Sequence, residues 1–167
     1  MRTLTMRGYL ALFLLVGAVI AGLGFAGSAL AQTRVVHHAV GTFDVDMAEG
    51  DAEVVEAGLG LSRYTLTKTF SGGLTGSATG QMLAGGPAGS QTVGTYVAIE
   101  RIVGTLDGRE GAFMMAHRGD MDEAGYRLSI SVVPNSGTGG LAGIEGELAL
   151  TITADGVHHY DLAYTLP

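Results

Sequence analysis

The chain contains no cysteine and no tryptophan, and only three of its 167 residues are proline. Without cysteine it can form no disulfide, although small exported domains commonly rely on them. Basic residues are also scarce, since nine lysines and arginines stand against 16 acidic residues and give a net charge of −7. A nucleic-acid partner is therefore not expected, because phosphates bind to a basic face. Stability must come from a hydrophobic core, which a chain of this length can build.

Glycine, in contrast, is abundant, with 28 residues. This is well above the usual share of about 7%. The small number of prolines and the lack of a collagen-like period exclude a fibrous or low-complexity chain. Glycine recurs between alternating apolar runs, and this pattern indicates tight turns, bulges and bends between β-strands.

Residues 1–31 have the pattern of a secretory signal peptide. Two arginines precede an apolar run over residues 9–25, and small residues end the segment at Ala31. The alternative is a retained membrane anchor, but the run is shorter than the roughly 20 residues that a spanning helix needs. We therefore predict an N-terminal signal helix cleaved after Ala31, a secreted or periplasmic protein, and membrane contact only through an uncleaved signal segment. Residues 32–167 would then form a single domain.

This domain is predicted to be all-β, an eight-stranded antiparallel up-and-down barrel. Alternating apolar and polar residues are separated by short glycine-rich turns, and no segment longer than two turns has helical spacing. Eight hairpin-linked strands suit a closed barrel whose lumen holds side chains or one small ligand. A two-sheet sandwich is the alternative, although it usually needs longer crossing connections. The predicted strands are 35–47, 61–70, 74–83, 92–106, 109–118, 126–134, 144–153 and 157–166, with a short helix or loop at 48–60 and a flexible loop at 84–91.

The stretch 92–119 carries the strongest turn signal and both candidate catalytic residues. Asp107-Gly108 between two β-rich runs is typical of a two-residue hairpin turn. That turn would set Ala98 opposite His117 and make Glu100 and His117 diagonal neighbours on one face, within side-chain reach. A three-residue turn would send His117 to the opposite face, and the pattern leaves both registers open.

Glu100 and His117 are candidates for acid-base catalysis if they face a dry lumen, because burial shifts pKa values. The alternative is that Glu100 is only a buried acid satisfied by a polar partner. Tyrosines and methionines near them would supply an apolar pocket. The residues that we predict to line a ligand site are Tyr96, Ala98, Glu100, Ile102, Phe113, Met115 and His117.

Two histidine pairs, His37-His38 and His158-His159, begin the first and last predicted strands. Adjacent residues of a strand point to opposite faces, and antiparallel neighbours begin at opposite ends, so the pairs do not combine into a ligand set. The glycine-rich loops lack the Lys-Ser/Thr and the following helix of a phosphate site. We therefore predict no metal site and no cofactor.

Several segments together resemble a known bacterial family. The glycines of GTGGLAGIEGELAL, residues 137–150, look like the signature of allene oxide cyclase and dirigent proteins. With KTFSGGLTGSATGQML, YVAIERIVGTLDGREGAFMMAHRG and the closing HHYDLAYTLP, the set resembles a bacterial domain-of-unknown-function family with an allene-oxide-cyclase-like barrel, over residues 36–167. The resemblance implies an eight-stranded antiparallel barrel and no established activity. No catalytic residue is transferred, because positions outside the glycine signature do not match.

The sequence thus predicts an exported barrel that binds a small, mostly apolar molecule in its lumen. The alternative is a cofactor-free isomerase or cyclase that acts on such a molecule there, and whether the protein is an enzyme stays open. A third interpretation is an interaction module with a fully packed interior. A homo-oligomer is compatible with all three.

Overall fold

The computed structural model describes residues 34–50, 54–90 and 92–167. The predicted signal segment and its cleavage position lie outside these ranges. In the part of the chain that the structure describes, no helix is long and apolar enough to cross a membrane. The strands are β1 (His37–Glu49), β2 (Val54–Glu56), β3 (Leu59–Gly72), β4 (Leu74–Pro87), β5 (Gly94–Leu106), β6 (Arg109–Asp122), β7 (Gly125–Val132), β8 (Thr138–Gly139), β9 (Glu145–Ile152) and β10 (His158–Thr165).

Eight of these strands form a closed antiparallel barrel. Successive long strands pair along the chain, and β1 pairs with β10 on one side and with β3 on the other. The wall is therefore continuous, which removes the sheet edges that invite aggregation. The short strand β2 extends the sheet beside β3, and β8 pairs with β6. The predicted all-β class and the eight-stranded barrel are confirmed.

Two segments differ from the sequence prediction. Residues 48–60 contain no helix where they are described: β1 continues to Glu49, and a turn at Ala57 (φ 52°) and Gly58 (φ 80°) joins β2 to β3. A positive φ at alanine is uncommon, so this turn carries no sequence signal. Residues 84–87 are strand rather than loop, because glycine lets neighbouring backbones approach closely. A Cβ at Gly86 would lie 2.8 Å from the carbonyl oxygen of Val93.

One half of the barrel lumen is filled by side chains, and we call it the packed half. It lies at the end where β3 turns into β4 and β5 turns into β6. The connection between β7 and β9 folds beneath this end, where Leu141 and Ile144 are fully buried. The buried apolar side chains there include Phe70, Leu74, Ile102, Leu106, Phe113, Leu141, Ile144, Leu162 and Tyr164. Their burial supplies most of the hydrophobic stabilisation of the fold.

Two tyrosine hydroxyls fasten the turns at the packed end. The Tyr160 hydroxyl accepts a hydrogen bond from the Leu74 backbone N–H at 2.9 Å, beside the turn between β3 and β4. The Tyr164 hydroxyl donates to the Asp107 carboxylate at 2.7 Å, in the turn between β5 and β6. Burial and this carboxylate raise the pKa of Tyr164 to about 12. Both turns are therefore held by side chains of the last strand.

Candidate functional site

The other half of the lumen is open, and it forms a cavity of about 300 Å³ that we call the cup. Most of its wall is apolar, which suits a small hydrophobic guest. Its lining residues are Phe43, Val45, Met47, Leu66, Lys68, Met82, Tyr96, Ala98, His117, Met121, Tyr126, Leu128, Ile130, Leu150, Ile152 and His158. A second depression of about 390 Å³, lined mostly by residues of β3, β4 and β5, shares Met47, Met82, Tyr96 and Met121 with it. The cup therefore adjoins a wider surface recess.

The hairpin of β5 and β6 places the two candidate catalytic residues. Leu106 pairs with Arg109, so the turn has two residues, Asp107 (φ 46°) and Gly108 (φ 82°). Two positive φ values are typical of the type I′ turn, which matches the twist of the flanking strands. The two-residue register left open by the sequence is thus the observed one, and it pairs Ala98 with His117.

Glu100, His117 and Lys68 form a buried polar network at the floor of the cup. The His117 Nε2 atom lies 3.0 Å from Glu100 Oε1, and the Lys68 Nζ atom lies 2.8 Å from Glu100 Oε2. Only 1% of the Glu100 side chain is exposed, against 9% for Lys68 and 7% for His117. Glu100 Oε2 accepts no aligned hydrogen bond from the described residues, so its contact with Lys68 is foremost an ion pair.

Burial of Glu100 would by itself raise its pKa, since low polarity disfavours the charged form. The hydrogen bond from His117 and the charge of Lys68 outweigh that effect, and the pKa of Glu100 lies below its ordinary value. Glu100 is therefore a carboxylate, which can only accept hydrogen bonds. The Nε2 atom of His117 must therefore carry the hydrogen of this contact, and the lone pair of the neutral ring is on Nδ1.

Lys68 is the member of this network that sequence reasoning missed. Its ammonium lies 4.7 Å from the centroid of the Phe43 ring, a cation–π contact that helps to hold it in the apolar lumen. A signal was present in LSRYTLTKTF, because the alternation puts Lys68 on the same face as Leu66 and Phe70. An inward-facing lysine in a barrel strand must have a buried partner, and Glu100 is that partner.

The seven residues predicted to line a ligand site divide between two depths of the lumen. Tyr96, Ala98 and His117 lie on the wall of the cup, and Glu100 lies beneath the cup behind His117 and Lys68. The other three, Ile102, Phe113 and Met115, are at most 1% exposed and belong to the hydrophobic core. The strand alternation correctly gave their inward direction but could not give their depth.

Tyr96 and Tyr126 narrow the mouth of the cup. Their hydroxyl oxygens are 2.6 Å apart, joining β5 to β7 across β6. The ring of Tyr96 covers Gly119, where an added Cβ would lie 2.1 Å from Tyr96 Cε1. Burial, and then the contact with Tyr126, raise the pKa of the Tyr96 hydroxyl. The glycine at position 119 therefore makes room for an aromatic side chain at the rim.

The two histidine pairs lie at opposite ends of the ladder between β1 and β10. His37 pairs with Tyr164, whereas His158 pairs with Phe43. His38 instead contacts the Asp161 carboxylate through Nδ1 at 2.8 Å. Among the described residues, no group of three or more histidine, aspartate or glutamate side chains is arranged to hold a metal ion.

Residues 39–164 match the family model described as "Protein of unknown function (DUF3224)". The chain belongs to the DUF3224 family. A crystal structure of a DUF3224 protein with unknown function from Shewanella oneidensis MR-1 is similar, with 37% sequence identity and a TM-score of 0.72. The match covers 80% of this chain and 100% of that chain, so the barrel described above is the shared DUF3224 fold. No curated protein matches this chain.

Proposed function

We propose that this DUF3224 protein is exported and binds a small, mostly apolar molecule in the cup. The observation that carries the proposal is the division of the lumen into a packed half and an open cavity of about 300 Å³. A barrel that needed only stability would fill both halves, because an empty apolar cavity costs free energy. The resemblance to allene oxide cyclase and dirigent proteins, which steer reactive small molecules inside a barrel, points the same way.

The wall of the cup limits what it can hold. Leu66, Met82, Leu128 and Leu150 offer apolar surface, and methionine adapts its shape to irregular guests. The polar groups are concentrated at the floor and at the rim, so an apolar body with one or two polar atoms fits best. Such a distribution is typical of small-molecule sites, where few polar groups set the orientation of the ligand.

Binding can be tested by titrating the protein with the fluorescent apolar probe N-phenyl-1-naphthylamine. We expect saturable binding of one probe per barrel. Leu128→Trp should weaken it at least about tenfold, because the indole occupies the volume that a ligand would fill. Val97→Trp is the matched control, since Val97 is 48% exposed and does not belong to the cup wall.

Failure of the probe to bind, or equal binding by both tryptophan variants, would refute a ligand site in the cup. If the probe binds in the cup, mass spectrometry of molecules that co-purify with the native protein would identify the physiological ligand. The export part of the proposal has its own test. The mature protein isolated from its source should begin at Gln32, as measured by intact mass.

The polar floor favours a second candidate, a cofactor-free isomerase or cyclase acting on an apolar substrate in the same cup. A buried carboxylate, imidazole and ammonium lie at the end of the apolar cavity. Proton-transfer chemistry requires groups of these kinds. Glu100→Gln separates the two candidates, because it keeps the shape of the side chain and removes its charge. Lost turnover with retained binding supports the enzyme, and unchanged behaviour supports simple binding.

A further inference from the structure

We propose that the floor of the cup catalyses proton transfer at a carbon next to a carbonyl group, with His117 as the base and Lys68 as the group that stabilises the enolate oxygen. The substrate class is an enolisable ketone or aldehyde with an apolar body. The inference rests on the proposed function, because the substrate would occupy the same cup.

The first observation is the orientation of the His117 ring. Its Nε2 atom is engaged by the Glu100 carboxylate at 3.0 Å, and this contact fixes the ring. The Nδ1 atom has no hydrogen-bond partner among the described residues, while the ring forms part of the cup wall. A basic nitrogen is thus available to a molecule in an apolar cavity, where water competes little for it.

The second observation is the position of the Lys68 ammonium. Nζ lies 2.8 Å from Glu100 Oε2, and Nε2 of His117 lies 3.0 Å from Oε1, so one carboxylate holds both groups side by side. An ammonium has three N–H donors, and Lys68 also lines the cup. A carbonyl oxygen at the floor can accept a hydrogen bond from it, and the charge stabilises that oxygen as it becomes an oxyanion.

Every proton and electron pair in this step comes from the substrate or from His117 and Lys68. The C–H bond next to the carbonyl breaks, and its proton moves to Nδ1 of His117. The electron pair forms a carbon–carbon double bond and shifts the carbonyl pair onto oxygen, where Lys68 stabilises the enolate. The imidazolium then returns its proton to the same carbon, which regenerates the substrate, or to a conjugated carbon, which gives the isomer. No oxidant, reductant or co-reactant is consumed.

Glu100 acts through its two neighbours and is a positioning residue in this scheme. It lies beneath the cup, it fixes the hydrogen of His117 on Nε2, and its charge stabilises the imidazolium that forms when Nδ1 takes a proton. This assignment moves the basic role from Glu100 to His117. A carboxylate already engaged by an ammonium and an imidazole is a weak base, since both partners favour its charged form.

The test is α-hydrogen exchange of 2-tetralone in D₂O, followed by proton NMR, with the full-length protein. We expect the wild type to accelerate exchange over the buffer alone. His117→Gln and Lys68→Met should each lower the rate by about 10²-fold or more, the usual effect of losing a general base or an oxyanion donor. His159→Gln is the matched control. His159 lies on β10, its side chain is exposed, and it is not part of the network of Glu100, His117 and Lys68.

Lys68→Met leaves the Glu100 carboxylate buried without its ion pair, and the variant risks misfolding. The double variant Lys68→Met with Glu100→Gln removes both charges and nearly keeps both shapes, and its comparison with Glu100→Gln alone serves as the second test of Lys68. It should fold, displace N-phenyl-1-naphthylamine with 2-tetralone as the wild type does, and exchange the α-hydrogens no faster than buffer.

A comparison of rate with binding distinguishes a positioning role of Glu100 from a merely structural one. Glu100→Gln should lower the exchange rate while 2-tetralone still displaces the probe as it does from the wild type, because the neutral amide keeps the shape of the side chain and no longer stabilises the imidazolium. A variant that loses binding and exchange together would show that Glu100 acts only through the fold.

Three results would overturn the inference. If 2-tetralone displaces the probe and no exchange is accelerated, the catalytic proposal fails and the binding proposal stands. If neither 2-tetralone nor the probe binds, both fail together. If exchange persists in His117→Gln at the wild-type rate, His117 is not the base.

Discussion

Replacing Lys68 by methionine should destabilise the barrel far more than replacing Lys68 and Glu100 together. In the single variant the Glu100 carboxylate, 1% exposed, loses the ammonium that lies 2.8 Å from Oε2. Removing one partner of a buried ion pair costs about 3–5 kcal/mol. We expect the lower end, about 3 kcal/mol, because the hydrogen bond from His117 to Oε1 remains.

The double variant Lys68→Met with Glu100→Gln provides the control within this prediction. Both side chains are then neutral and of nearly the original shape, and neutral replacements of a buried pair are often tolerated. We expect its free energy of unfolding to lie within about 1 kcal/mol of the wild type. The difference between the two variants measures the cost of an unpaired carboxylate rather than the loss of packing.

Urea unfolding followed by circular dichroism measures both effects. With an m value of about 2 kcal/mol/M, a loss of 3 kcal/mol lowers the midpoint by about 1.5 M. A midpoint for Lys68→Met close to that of the wild type, or equal losses in the single and double variants, would refute a buried ion pair at this position.

The comparison of the wild type with Lys68→Met also gives a prediction for the dependence of stability on pH. In the wild type the pKa of Glu100 is below its ordinary value of 4.5, so the network adds stability above that pH and loses it as the pH falls through the lowered pKa. In Lys68→Met the lowering effect of the ammonium is lost, so the pKa of Glu100 should be higher than in the wild type. The difference in the free energy of unfolding between the wild type and Lys68→Met should therefore become smaller in acid, where Glu100 is protonated in both proteins.

Two further predictions concern the rim and the packed end. Gly119→Ala should lower the free energy of unfolding, measured by thermal unfolding, by about 1–3 kcal/mol, because the new Cβ meets the Tyr96 ring. Gly85→Ala is the control and should be nearly neutral, since the nearest atom to its Cβ would be the Gly60 carbonyl oxygen at 3.5 Å. A stable Gly119→Ala protein would show that Tyr96 can leave its place at no cost. Tyr160→Phe should cost about 1–3 kcal/mol because the buried Leu74 N–H loses its acceptor, and an unchanged melting temperature would contradict that role.

The barrel itself was predictable because apolar and polar residues alternate regularly along its strands. The link at Asp155-Gly156 is an example: the apolar residues on its two sides fit a register with Leu150 opposite Tyr160 and Leu148 opposite Leu162, and the structure pairs them so. Register follows from such patterns because a slip of one residue would turn every inward side chain outward. At this link the alternation alone predicts the register, whereas at Asp107-Gly108 it left two registers open.

The site was less predictable, because its parts do not all come from directly paired strands. Glu100 and His117 belong to one hairpin, and their contact depended only on the length of the turn at Asp107-Gly108. Lys68 comes from β3, which does not pair with β5 or β6, and it reaches Glu100 over β4, where Gly80 pairs with Leu66 on one side and with Glu100 on the other. The contact therefore depends on the registers of two successive hairpins, and no single turn predicts it. The lysine was visible as an inward-facing charge, but its partner was not.

The depth of the packing was also beyond the sequence. Leu141 and Ile144 plug one end of the barrel from a connection that lacks alternation and reads as a break between strands. Without knowledge of that plug, Ile102, Phe113 and Met115 were indistinguishable from the true wall of the cup. Strand periodicity gives the side of the sheet on which a residue lies, and it contains no information on the distance from the barrel end.

The separation of the lumen into two halves has a consequence for the diversity that this architecture can support. Since the residues that secure folding lie at one end, substitutions of Met47, Met82 or Met121 at the other end change the shape of the cup and leave the packed half in place. On the proposed function, one stable barrel would accept different molecules after a few substitutions near the mouth of the cup.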